Sequence, residues 1–216
     1  MTIAHREGEP PGEPGAFRQQ RLGGSLALPT EMPAMEESHI MPNLKTPVSS
    51  KDHIQGDESA PVVLVEYGDY ECPHCGHAYP IVKRVQKHFG NKLALVFRNF
   101  PLNQIHPNAE AAAESAEFAA KHERFWEMHD AIFENQKRLG PELLLELANS
   151  LTLSGHELQE SLAGHEFTSR VRSDFIGGVR SGVNGTPTFF INGQRHDGPF
   201  ELEDLVRAIG EHLTGT

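Results

Sequence analysis

Residues 62–90 constrain the fold more than any other part of the chain. An apolar run rich in β-branched residues, VVLVEY at 62–67, stops at Gly68, and Cys72-Pro73-His74-Cys75 then opens a segment of helical periodicity. A short, unalternating apolar run predicts a strand buried on both faces and central in its sheet. Beyond Pro73, Ile81, Val85 and Phe89 recur every fourth residue, Lys83, Arg84 and Lys87 lie on the other side, and Gly90 closes the pattern. Proline suits the first helical position, where its missing N–H would have no partner anyway. Pro80, inside the helix, is expected to kink it. The chain therefore reads as α/β, with two thiols at the start of a helix that leaves a buried strand.

Cys72 and Cys75 are the only cysteines in 216 residues. A bridge across two intervening residues closes too small a loop to staple a fold, so these thiols read as reactive rather than structural. A helix N-terminus offers partial positive charge and free N–H donors, both of which favour a thiolate. Cys72 occupies that position, where thiol pKa values fall to about 3.5–7.5. His74, if protonated, adds to the stabilisation. Cys75, one turn further in, is expected to be less exposed and to act as the resolving thiol. A zinc half-site from Cys72, Cys75, His74 and His77 is the competing reading, but no second CxxC or close histidine pair follows to complete it. No metal and no cofactor are expected. Haem attachment needs histidine at position 76, which is glycine.

A net charge of -11, with 19 dispersed Lys and Arg, argues against a nucleic-acid partner. No apolar run approaches the roughly 18–20 residues of a bilayer crossing. Most of the 13 histidines read as solvated or capping residues. Residues 1–47 are crowded with Pro, Gly and Glu and read as a disordered tail before a folded domain at 48–216. The LGGSLAL stretch at 22–28 mimics an export signal only weakly, because glycines and a serine interrupt it. A cytoplasmic location is expected, with export as the alternative.

After the first helix, LALVF at 93–97 reads as a second strand and residues 98–102 as the exit from the sheet. Five helices are expected between about 103 and 180. One covers the alanine-rich 108–121, and another, at 123–136, carries Phe125, Met128, Ile132 and Phe133 on one face. A third opens at Pro141, a fourth after the capping pattern Ser154…Glu157, and the fifth spans 167–180. The period then reverts to β: TFFI at 188–191, the turn pair Asn192-Gly193 and residues 194–196 predict a hairpin. An amphipathic helix over 201–213 closes the chain.

These features together resemble the DsbA-like branch of the thioredoxin superfamily over about residues 50–214. The resemblance rests on Cys72-Pro73-His74-Cys75, on Gly185-Thr186-Pro187-Thr188 before the hairpin, on Glu66 six residues ahead of Cys72, and on Pro80 eight residues after it. It implies a thioredoxin-like mixed sheet of four to five strands with an inserted helical domain. It also implies a protein thiol–disulfide oxidoreductase acting through a mixed disulfide, with protein thiols or disulfides as substrates and a separate redox partner. On the same resemblance Glu66 is a buried acid beneath Cys75, able to pass protons to or from it, or else to satisfy a local hydrogen bond. Pro187 would be cis and face the dithiol, leaving the backbone of Thr186 to pair with an extended substrate; an ordinary turn is the plainer reading. Tyr70 and Glu71 are placed at the rim of the site or simply on the surface, and His77 and Tyr79 are assigned to packing or solvent. His106 is expected to cap the first inserted helix, and Trp126 to sit in the helical core. A non-catalytic thioredoxin-like binding module or redox sensor is the alternative function.

Overall fold

The run at 62–67 does form the middle of a sheet. In the computed structural model, which describes residues 43–215, five strands run in the order β1-β3-β2-β4-β5. They are β1 (His53–Gln55), β2 (Val62–Gly68), β3 (Leu93–Asn99), β4 (Thr188–Ile191) and β5 (Gln194–His196). β2 pairs in parallel with β3, and the other neighbours are antiparallel. Leu64 of β2 thus lies between Leu95 and Ile191, and Glu66 between Phe97 and Phe189. The hairpin turn has Asn192 and Gly193 both at positive φ, 47° and 82°, which matches the right-handed twist of the strands it joins. Asn192 also ties the turn to β2, accepting at Oδ1 from the Val63 N–H at 2.8 Å.

One face of the sheet is covered by α1 (Pro73–Phe89) and the closing α7 (Leu202–Thr214). Val62, Leu64, Ala78, Val82, Val85, Leu205 and Ile209 meet there in one buried cluster. Leu205 is fully buried, so its truncation to alanine would cost about 2–5 kcal/mol. α1 continues through Pro80 without ending. Between β3 and β4 lie five helices: α2 (Ala109–Ala120), α3 (Phe125–Glu134), α4 (Pro141–Ser150), α5 (Gly155–Ala163) and α6 (Thr168–Arg180). The mixed sheet with an inserted helical domain implied by the resemblance is therefore present. Ser154 caps α5 by accepting from the Glu157 N–H at 3.2 Å. Trp126 is only half-buried and packs against both the helical core and the α1/α7 layer.

β1 was not foreseen, because three residues with no apolar alternation carry no strand signal. β3 also runs two residues past the expected end, through Arg98 and Asn99. Polar residues normally end a buried strand, but Arg98 is fully partnered inside the fold, and Asn99 donates its amide to Glu117 at 2.7 Å while its Oδ1 is left without a partner. Arg98 donates from Nε and Nη2 to Asp52 at 2.7 and 3.1 Å, and from Nη1 to Tyr67 Oη and the Thr46 carbonyl at 2.9 and 2.8 Å. Of the segment that composition set apart at 1–47, residues 1–42 lie outside the described residues. Residues 43–47 hydrogen-bond to the folded domain: Leu44 N–H to the Gly193 carbonyl, Lys45 N–H to Ser181 Oγ, and the Thr46 and Pro47 carbonyls to Arg98.

Candidate active site

β2 ends at Gly68, where no side chain fits: a Cβ would stand 2.4 Å from the Phe97 ring. The chain then turns through Asp69, Tyr70 and Glu71 into α1. Cys72 is the N-cap of that helix, in an extended conformation, and Pro73 takes the first helical position as expected. Both cysteines are free thiols, and both are buried. The Cys72 thiol donates to the Thr186 carbonyl at 3.4 Å across 114 positions of sequence, so the loop before β4 does face the dithiol. The Thr186–Pro187 bond is cis.

The two thiols differ in acidity. A hydrogen bond from the Cys75 thiol is the main influence pulling the Cys72 pKa down from 9.0 to about 5; burial opposes it, and the Thr186 side chain and the backbone N–H groups of Cys75 and His74 assist. The Thr186 hydroxyl is buried and has no hydrogen-bond partner among the described residues. Burial raises the Cys75 pKa well above the ordinary value, and its own bond to Cys72 and the nearby Glu66 raise it further. One thiol is thus held toward the thiolate, the form that attacks in thiol chemistry, and the other toward the protonated form.

Glu66 lies on β2, 4% exposed. With no hydrogen bond from the described residues to offset burial, its pKa rises from 4.5 to about 8. A carboxyl group tuned to that range can exchange protons near neutral pH. Pro73 and His74 are exposed. The backbone N–H of His74 is among the groups that lower the Cys72 pKa. Among the described residues no group of three or more His, Cys, Asp or Glu is placed to hold a metal ion.

Several neighbours take other positions than the sequence suggested. Tyr70 is not at the rim but 1% exposed, inside the helical core. Its hydroxyl meets His129 Nδ1 at 3.1 Å, among Phe97, Phe125 and Phe133. His129 is buried rather than solvated, and burial drops its pKa to about 3, so it is a neutral acceptor for Tyr70. Glu71 caps α2: it accepts from the Asn108 N–H at 2.6 Å and from its side-chain amide at 2.9 Å. His106 meets that helix through its backbone, its carbonyl accepting the Ala109 N–H at 3.2 Å, while its Nδ1 bonds the carboxylate of Asp69 at 2.8 Å. His77 forms a solvent-exposed pair with Glu201, and Tyr79 stacks on Phe133.

Two site residues carried no sequence signal. Asp69 donates its N–H to Cys75 Sγ at 3.4 Å and accepts the Cys72 N–H at its carbonyl at 3.1 Å. Gln136, from a turn between α3 and α4, donates from Nε2 to the carbonyls of Tyr70 and Cys72, 2.9 Å each, and straps the turn to the helical domain. Gly76 makes room for that strap, since a Cβ there would meet Gln136 Oε1 at 2.1 Å. A groove of about 680 Å³ lies between residues 101–105 and α6, with Leu102, Val171, Phe175 and Asn184 in its lining.

A family model described as thioredoxin matches residues 48–211. Among curated proteins, the Na(+)/H(+) antiporter NhaA 1 of Salinispora arenicola is 43% identical over 81% of this chain and 27% of its own length. The Na(+)/H(+) antiporter NhaA 3 of Salinispora tropica is 42% identical over 77% of this chain and 26% of its own length. This chain therefore spans about a quarter of the length of these relatives. Among solved structures, oxidised BdbD from Bacillus subtilis is 27% identical with a TM-score of 0.71, covering 81% of this chain and 97% of that one. Wolbachia pipientis alpha-DsbA1, at 21% identity and a TM-score of 0.68, covers 80% and 97% of the two chains and shares the fold.

Proposed function

This chain belongs to the thioredoxin family, and we propose that it is a protein thiol–disulfide oxidoreductase working through Cys72, Cys75 and a mixed disulfide. The observation that carries this reading is the split in acidity at the dithiol, with Cys72 lowered to about 5 and Cys75 raised by burial. In the reducing sense, the Cys72 thiolate attacks one sulfur of a substrate disulfide, and the first substrate thiolate leaves. Cys75 then gives up its proton, with Glu66 as the nearby acceptor, and attacks Cys72 Sγ. The enzyme disulfide forms, the second substrate thiolate leaves, and two electrons have passed from the dithiol to the substrate. Oxidation of a substrate dithiol is the same sequence reversed. Stabilising the Cys72 thiolate favours the reduced enzyme, so its disulfide is biased toward the oxidising end of the scale.

Thr186 supports this reading from the substrate side. Its carbonyl already faces Cys72, and a main chain laid along it would bring a cysteine to the thiolate. The relatives named Na(+)/H(+) antiporters share with this chain only about a quarter of their length. We read that shared part as the thiol-exchange domain and not as the transporting part. No helix among the described residues is long and apolar enough to cross a membrane. A cytoplasmic location is part of the proposal. There the glutathione pool would keep an oxidising dithiol mostly reduced, so net oxidation requires a dedicated electron acceptor. Reduction of insulin by a small thiol tests the reading: the native chain should accelerate it and Cys72→Ser should not. Full activity in Cys72→Ser would leave a non-catalytic binding module as the better description.

A further inference from the structure

Asp69 has no role in the exchange steps above, yet its backbone hydrogen-bonds to both cysteines. Its N–H points at Cys75 Sγ, 3.4 Å away, and its carbonyl takes the Cys72 N–H at 3.1 Å. The carboxylate is buried and holds three donors. Oδ1 accepts from the Glu71 N–H at 2.8 Å, and Oδ2 accepts from the Leu102 N–H and from His106 Nδ1, each at 2.8 Å. Leu102 and His106 belong to the segment between β3 and α2, so the turn is pinned from outside the cysteine helix. We propose that Asp69 is a positioning residue for the resolving step: anchored by Leu102 and His106, it holds its backbone N–H on the Cys75 sulfur as that sulfur becomes the nucleophile.

This deepens the exchange reading and rests on it. In the mixed disulfide Cys75 must lose its proton in a buried place, where a thiolate is poorly solvated. The Asp69 N–H is the backbone donor that favours the charged form there, against burial, Cys72 and Glu66. The proton leaves to Glu66 or to solvent. The sulfur–sulfur bond to Cys75 forms as the bond from Cys72 to the substrate breaks, and the substrate leaves as thiolate with the electron pair. A donor held in line before that event need not be reoriented during it. Freed from its anchor, the turn would swing the N–H away and slow this step, while the attack by Cys72 would keep its own donors at Thr186, Cys75 and His74.

Dithiobis(nitrobenzoate) separates the two steps, because Cys72 releases one coloured thiolate on attack and Cys75 releases the second when it resolves the adduct. The variants are Asp69→Asn, which turns a donor toward the Leu102 N–H, His106→Ala, and His106→Asn, whose amide can replace the Nδ1 donor. The second phase should slow roughly tenfold in Asp69→Asn and severalfold in His106→Ala, and recover in His106→Asn, with the first phase slowed far less. Should Asp69→Asn fail to fold, the His106 pair decides. A second phase at the native rate in His106→Ala, or equal slowing of both phases, overturns the proposal. A native protein that releases no coloured thiolate refutes the exchange reading itself and this inference with it, whereas a normal first phase with an insensitive second phase refutes the inference alone.

Discussion

Lowering the pH should weaken the reduced protein much more than the oxidised one, by an amount that follows from Cys72. Its thiol falls from 9.0 to about 5 in the fold, and each unit is about 1.4 kcal/mol of preference for the thiolate. A depressed acid stabilises the fold fully above its unfolded pKa and loses that contribution as pH falls through its folded pKa. At pH 7, two units above about 5, the contribution is about 2.7 kcal/mol; at pH 5 only about 0.4 kcal/mol survives, so about 2 kcal/mol disappears over that interval. The disulfide form has no thiol to titrate, and Glu66 titrates in both forms, so the difference between the two isolates Cys72. Through the two-electron relation the same 2.7 kcal/mol makes the couple about 60 mV more oxidising at pH 7 than one with ordinary thiols. Chemical denaturation of both redox forms at pH 5, 6 and 7 measures the gap, and ultraviolet thiolate absorbance gives the titration midpoint directly. A gap that does not change with pH, or a midpoint above about 8, would refute the reasoning.

The buried acid should behave in the opposite sense. With Glu66 raised to about 8, its favourable contribution is complete below about pH 4.5 and is lost as pH rises through 8; Glu66→Gln should therefore be up to about 3 kcal/mol more stable at pH 7, with slower release of mixed disulfides. His129, lowered to about 3 by burial, makes the fold acid-labile because only the unfolded chain takes up its proton. About 3 kcal/mol should vanish between pH 7 and pH 4, and His129→Leu should flatten that slope in denaturation curves. Gln136→Ala leaves the Tyr70 carbonyl without its donor, a loss of roughly 1–2 kcal/mol measurable by urea unfolding.

What the sequence revealed was periodicity and punctuation. The VVLVEY run, the change to a four-residue period after Pro73, the serine before α5 and the Asn192-Gly193 turn each act through nearest neighbours, so each was readable locally. β1 was not, since its three residues are held by pairing with β3 and have no pattern of their own. Cys72 and Cys75 could be found from spacing, and Thr186 from the resemblance. Asp69, Gln136, Tyr70 and His129 could not, because their roles come from partners 33 to 66 positions away. Tyr70 and Glu71 looked like rim residues for the same reason: beside a reactive cysteine, local context cannot say which side chain turns inward toward His129 and which reaches out to Asn108.

The central claim is that Cys72 is the nucleophile and Cys75 the thiol that releases it. Intact mass analysis of Cys75→Ala after incubation with a disulfide-bonded protein substrate tests this most directly. The account predicts a stable adduct of chain plus substrate, linked at Cys72, sensitive to reductant and absent from the native chain and from Cys72→Ser. No adduct in Cys75→Ala, or an equal one in Cys72→Ser, would contradict it.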